Sequence, residues 1–309
     1  MIQPTIPVVS LLDFADRRSR ARFVQVLGEG LEMFGFVAVT DHSVDRSLLR
    51  RVYASARDVF ALPDHVKRSY EAPSAGRQRG YTPLGMERAK GRGVADLKEF
   101  WQIGRDLAPD HPYARSGIVP ANRYPAEVPA FTGAVKEYFD RLERFTGILL
   151  EAIGDYLGTQ PGFFSDMVRD GNTVLRILNY PDQNGPPPAG AVRSAAHEDI
   201  NLITVMPAST RPGLELMTRA GDWMPVTTPP DVLICDTGDM VQLLTGGVLP
   251  ATTHRVVNPA GGSDGGRLSL PLFVHPRPDY VITPFDASYG SPIGAQEFLD
   301  KRLREIGVA

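Results

Sequence analysis

The chain has 309 residues, 42% of them hydrophobic and 22% charged, an ordinary globular composition that allows a sizeable core. A formal net charge of −3 gives no electrostatic reason to expect a nucleic acid or membrane surface as partner, and no apolar run approaches the roughly 20 residues of a membrane helix. A single cysteine, Cys235, excludes an internal disulfide framework; with an N-terminus unlike a signal peptide, the expectation is a cytoplasmic protein.

The first half has helical periodicity. Phe23, Leu27, Leu31 and Phe34 recur at helical spacing between Ser19 and Gly35, and the glycine marks a stop. Asp45 is a cap for a second helix carrying Leu49, Val52, Val59 and Phe60, which ends at Pro63. Residues 71–85, rich in glycine and proline, read as a loop. A long helix is expected over Ala130–Leu157, with Val135, Phe139, Leu142, Phe145, Leu149 and Ile153 on one stripe, then a helical turn at Phe163–Val168. From Thr173 onward the pattern changes to short strands separated by turn signals: TVLRILNY, NLITVMP, GLELMT, WMPVTT, DVLICDTGD, VQLLT, THRVVN, RLSLPLFVH and DYVITP. A helix over Ala295–Ile306 closes the chain. Evenly spaced short strands point to a sandwich, barrel or jelly roll, with the helices packed on it in a single domain.

Chemistry concentrates in SAAHEDINLITV, where three ionisable residues, His197, Glu198 and Asp199, precede an apolar strand. In an extended segment the side chains of i and i+2 share a side, so His197 and Asp199 face together and Glu198 faces away. Of six histidines, His254 also lies in a β-rich context. Two histidines and one carboxylate make the facial set of a non-haem Fe(II) site with open positions. The same alternation puts Arg267 and Ser269 on one side of a strand, and an inward arginine calls for an anion. Each also has a plain structural role open to it: a hydrogen-bonded strand-end pair for His197 and Asp199, a turn cap for His254, an ion pair for Arg267.

These residues, in this order, resemble the 2-oxoglutarate- and Fe(II)-dependent oxygenases of the isopenicillin-N-synthase-like group: His197-Glu198-Asp199, then His254, then Arg267-Leu268-Ser269. Further similar pieces, from IPVVSLLDF and GFVAVTDH through LKEFWQIG and LRILNYP to LICDTGDMVQLLTGG, spread over nearly the whole chain. Leu178 departs from the asparagine common in relatives. The resemblance implies an α+β fold: a double-stranded β-helix (jelly roll, cupin-like) core over 171–285, flanked by a mainly helical region at 1–170 and a C-terminal helix at 286–309. It implies Fe(II) held by His197, Asp199 and His254. 2-Oxoglutarate would be bound by Arg267 and Ser269, with Tyr180 at its side, and O2 is consumed. The implied reaction is oxidation of a small molecule, hydroxylation foremost, with release of succinate and CO2; ethylene formation, desaturation and cyclisation use the same scaffold. A non-catalytic jelly-roll binding protein is the contrasting class. Arg79, Tyr81, Phe100, Trp101 and Gln102 are the expected substrate-pocket residues, while His275 reads as a strand-end residue.

Overall fold

The computed structural model describes residues 5–88, 93–182, 187–229, 231–260 and 263–305. Its centre is a nine-stranded mixed sheet. In spatial order it runs Val8–Ser10, Phe36–Thr40, Leu233–Thr237, Ile203–Pro207, Leu272–Val274, Val174–Tyr180, Glu99–Gly104 and Gly80–Thr82. The short strand Arg267–Ser269 also pairs with Val174–Tyr180. A four-stranded sheet, Ser194–His197, His254–Val256, Leu214–Met217 and Trp223–Pro225, faces it and completes the jelly roll.

Period-two alternation divides the main sheet between two cores. Val37, Val39, Val205, Leu233 and Cys235 point to the helices and join one large cluster. Phe36, Ala38, Met206 and Ile234, one residue out of phase, meet Leu216 and Met224 of the smaller sheet. Farther along, Phe100, Leu178 and Tyr180 meet Val256 in the same inter-sheet space.

The helices cover the outer face as their sequences dictate. The stripe expected on the long helix, Pro129–Leu157, is buried at all six positions. Asp45 caps Arg46–Phe60, its carboxylate accepting from the Leu48 N–H at 2.8 Å. Helix Arg20–Phe34 ends on Gly35, whose φ of 65° is the left-handed conformation a glycine stop supplies. Its face buries Phe23, Leu27 and Leu31, while Phe34 packs partly buried against the inter-sheet core. Each fully buried leucine contributes about 1.5–3 kcal/mol from apolar burial.

Three sequence expectations need correction. VQLLT lies in a helix, Asp239–Leu244, because the turn at Gly238 sends the chain off the sheet and Leu244 and Val241 bury on one helical face. The 71–85 segment holds the strand Gly80–Thr82, which pairs with Glu99–Gly104. The region before 170 therefore supplies four strands of the main sheet as well as helices. RLSLPLFVH, expected as strand or strand parts, holds two short strands parted at Leu270 and Pro271, since proline has no N–H for the ladder. The closing helix spans Ala295–Glu305, and Ile306 lies outside the described residues, as do Gly261 and Gly262 of the AGGSDGG loop.

Candidate metal and cosubstrate site

His197 ends strand Ser194–His197 and His254 begins strand His254–Val256; the two are directly opposite across the antiparallel ladder. Their ring centroids are 4.5 Å apart. Asp199 is not on a strand: the chain leaves the sheet after His197 and turns before Ile203, so a bend rather than i, i+2 alternation brings its carboxylate back. Asp199 Oδ1 lies 3.7 Å from His197 Nε2 and 3.8 Å from His254 Nε2. The three residues each offer one ligand atom within 4.8 Å of the others. Each histidine turns Nδ1 to a backbone carbonyl two residues back, Ala195 at 2.7 Å and Thr252 at 3.1 Å. A carbonyl accepts only, so Nδ1 carries the proton and Nε2 keeps its lone pair for a metal.

The carboxylate is fixed from behind. Thr204 donates to Asp199 Oδ2, and Asn201 donates to the Thr204 hydroxyl at 2.8 Å. Buried Asp236, directly opposite Thr204 in the ladder, is driven well above the usual carboxylate range by burial and then by Asp199. Burial, then the neighbouring His254, pulls the His197 imidazole down to about 4. Although 34% of its side chain is exposed, His197 borders the cavity beside the cluster, and the neutral form is the one a metal takes. Thr204 and Asp236 were not legible as site residues: a threonine in a strand reads as propensity, and only a carboxylate inside an apolar strand marked Asp236.

Arg267 and Ser269 face the same side, opposite Tyr180 and Leu178 in register. Arg267 is buried. Its Nε donates to the Arg211 carbonyl at 3.1 Å and its Nη2 to the Ser209 hydroxyl at 2.7 Å, while buried Nη1 meets no acceptor among the described residues. The guanidinium sits 5.0 Å from the Tyr180 ring centre. Ser209 also donates to Ser269 at 3.1 Å. A narrow cavity of about 50 Å³ runs from the His-Asp-His cluster to Arg267, lined by Tyr180, Leu178 and Ser269. An unspent guanidinium nitrogen at one end and metal-ligand atoms at the other suit a short diacid that chelates a metal, so the residues fit Fe(II) and 2-oxoglutarate.

A second, larger cavity of about 330 Å³ opens beside His197 and Asp199. Of the five residues expected to line it, it takes Gln102; Gln78 stands there in place of Arg79. Tyr81 and Trp101 pair across the strands on the helix-facing side, where Trp101 packs on Phe131 and donates to the Arg123 carbonyl. Arg79 is fully buried, donating to the Pro120 and Gln78 carbonyls and Asn172, its guanidinium pressed against Gly104 where a Cβ would clash. Phe100 lies in the inter-sheet cluster, 4.4 Å under the Arg176 guanidinium. The cavity wall also holds Glu87, Lys98, Arg176 and His275, and the C-terminal helix covers it through Leu299, Arg302 and Leu303. Arg176 was legible in principle, because it shares the strand phase of Leu178 and Tyr180.

Residues 6–127 match the model of the non-haem dioxygenase N-terminal region named for morphine synthesis, and residues 171–276 that of the 2OG-Fe(II) oxygenase superfamily. A solved 2OG-Fe(II) oxygenase family protein from Caulobacter crescentus is 40% identical, covers 98% of this chain and 99% of its own, and superposes with a TM-score of 0.86. The chain belongs to the 2OG-Fe(II) oxygenase superfamily. Within it, this oxygenase falls in the isopenicillin-N-synthase-like group, with Fe(II) and 2-oxoglutarate as cofactor and cosubstrate. A 2-oxoglutarate-Fe(II) type oxidoreductase of Emericella nidulans is 29% identical over 90% of this chain and 82% of that protein. A full-length Neurospora crassa protein, solved in complex with alpha-KG and thymine, shares the fold at 23% identity and a TM-score of 0.85, each chain covered to 98%. The oxygenase is an enzyme that oxidises a small molecule. Among its described residues no helix is long and apolar enough to cross a membrane.

Proposed function

We propose that His197, Asp199 and His254 hold the Fe(II), that Arg267 and Ser269 grip the distal carboxylate of 2-oxoglutarate, and that the substrate is a compact small molecule bound in the larger cavity. The observation that carries this is the narrow cavity with the His-Asp-His cluster at one end and the unpartnered Arg267 Nη1 at the other. Iron with bound 2-oxoglutarate and O2 supplies the oxidising power, yielding succinate, CO2 and an oxidised, foremost hydroxylated, product. The protein does the rest. Backbone carbonyls hold both histidines in the metal-binding tautomer, Thr204 aims Asp199, and Arg267 sets the cosubstrate's direction. Tyr180 flanks the guanidinium with its ring. Leu178 gives the passage an apolar wall. Residues 1–309 act as one oxygenase domain in this proposal, supported by a single apolar cluster that runs from Val9 to Leu303. The proposed setting is the cytoplasm.

The test is succinate release by the wild type and by His197→Ala and Asp199→Ala. Both variants are expected to lose turnover while keeping the wild-type circular dichroism. Anaerobic addition of Fe(II) and 2-oxoglutarate to the wild type is expected to give the weak visible charge-transfer band. Undiminished turnover in either variant would contradict the ligand set.

A further inference from the structure

His275 borders the larger cavity at the end of strand Leu272–Val274. Its Nδ1 lies 3.1 Å from the Phe273 carbonyl, the same i−2 arrangement that holds His197 and His254. The proton therefore sits on Nδ1 and Nε2 is a bare acceptor. In the other two histidines Nε2 turns to Asp199; His275 stands outside the cluster whose ligand atoms lie within 4.8 Å. Among the described residues no donor meets its Nε2. The backbone also fixes the residue, its N–H lying 3.4 Å from the Thr173 hydroxyl. Burial holds the imidazole down to about 4, in keeping with a neutral ring.

Most of the charged side chains of the wall are already matched, with Arg88 a further cation in the lining. Lys98 and Arg176 are matched by Glu87 and Asp96, and Arg302 by Asp239. Among these side chains His275 offers a fixed acceptor in a 330 Å³ space beside the metal cluster.

We propose that His275 Nε2 is the substrate-positioning acceptor of this oxygenase, receiving a hydrogen bond from an N–H or O–H of a compact substrate. This rests on the proposed function in taking the larger cavity as the substrate's. A site built around one acceptor rejects an analogue lacking the donor, because the acceptor is then buried unpaired.

The experiment uses the Fe(II)- and 2-oxoglutarate-loaded enzyme and pairs of compact lactams, imides and phenols, each with its N- or O-methyl counterpart. Succinate release is read. The free member is expected to stimulate at about tenfold lower concentration than the methylated one. In His275→Leu the KM for the free member rises about tenfold and the preference collapses, while the charge-transfer band stays at wild-type strength; His275→Gln, which restores an acceptor, recovers part of the preference. Equal stimulation by both members in the wild type, or an intact preference in His275→Leu, overturns the proposal. A silent panel with the band present overturns it while leaving the proposed function standing; a missing band in the wild type sinks both. A substrate-free arm is long-range ¹H–¹⁵N NMR of the metal-free protein, where a protonated Nε2 on His275 overturns the assignment.

Discussion

Arg267 is a cation with two of its three nitrogens spent on a carbonyl and a hydroxyl, neither of which neutralises it. Burial, and then the neighbouring Arg193 charge, pulls its pKa down, so an anion at Nη1 is what makes the position favourable. Arg267→Ala is expected to weaken 2-oxoglutarate by about 2–5 kcal/mol, with iron affinity changed far less, both read from titrations of the charge-transfer band. Arg267→Lys keeps the charge without the fork and falls in between. Equal loss of iron and cosubstrate would make Arg267 structural. This residue was legible because alternation alone puts Arg267 and Ser269 on one side. Asp199 was legible for a less secure reason: His197 and Asp199 do meet, but through a bend outside the strand, which motif order captures and extended geometry does not. Arg79, Tyr81 and Trp101 were misplaced because alternation gives a phase, and nothing in a single strand says which phase faces the barrel.

Among the elements, the segment after Gly80–Thr82 is tied to the barrel by charge. Glu87 accepts from Lys98 at 2.8 Å and from Arg176 at 3.1 Å, and Lys98 also reaches Asp96 at 2.9 Å and Ser194 at 3.1 Å. Ser194 opens the strand that ends in His197, so one buried ammonium ties the cavity cover to the strand carrying a proposed ligand. Burial would raise the Glu87 carboxyl, but Arg176 and Lys98 outweigh it and bring it to about 2. Glu87→Gln leaves Arg176 without its carboxylate and Lys98 with only one. A loss of about 3 kcal/mol is expected, read as a lower urea midpoint at unchanged slope. The double variant with Lys98→Met should recover part of it; a purely additive double would mean the two do not interact. No such tie was legible, since 11 residues separate Glu87 from Lys98 and 89 separate it from Arg176. VQLLT failed for a related reason: its apolar residues suit a buried strand or a buried helix equally, and only the exit of the chain at Gly238 decides.

For the whole molecule, two halves of different period suggested helices first and a barrel after. The jelly roll and its order of motifs were legible that way, but the early strands Phe36–Thr40 and Glu99–Gly104 each lie one strand in from an edge of the same sheet, a long-range pairing local pattern does not reveal. The interleaving buries titratable groups across the molecule, so stability should depend on pH in a defined sense. His275, faced by Asp199, Arg79 and Arg176, is held near 4 by burial, against an ordinary value of 6.5. Unfolding frees it to bind a proton below about pH 6.5, so the unfolded chain binds more protons and stability falls as pH drops from about 6.5 to 4. In metal-free protein His197, also near 4, contributes in the same window. Glu87, depressed from 4.5 to about 2, extends the decline from about pH 4.5 downward. Each histidine contributes about 3 kcal/mol at most. Asp236, its carboxyl raised, works in the opposite sense in the same window, so the reading is a difference: in metal-free protein the urea midpoint of His275→Leu should fall less between pH 6.5 and 4 than that of the wild type. A slope untouched by His275→Leu would mean that its ring takes a proton as readily in the folded protein as in water.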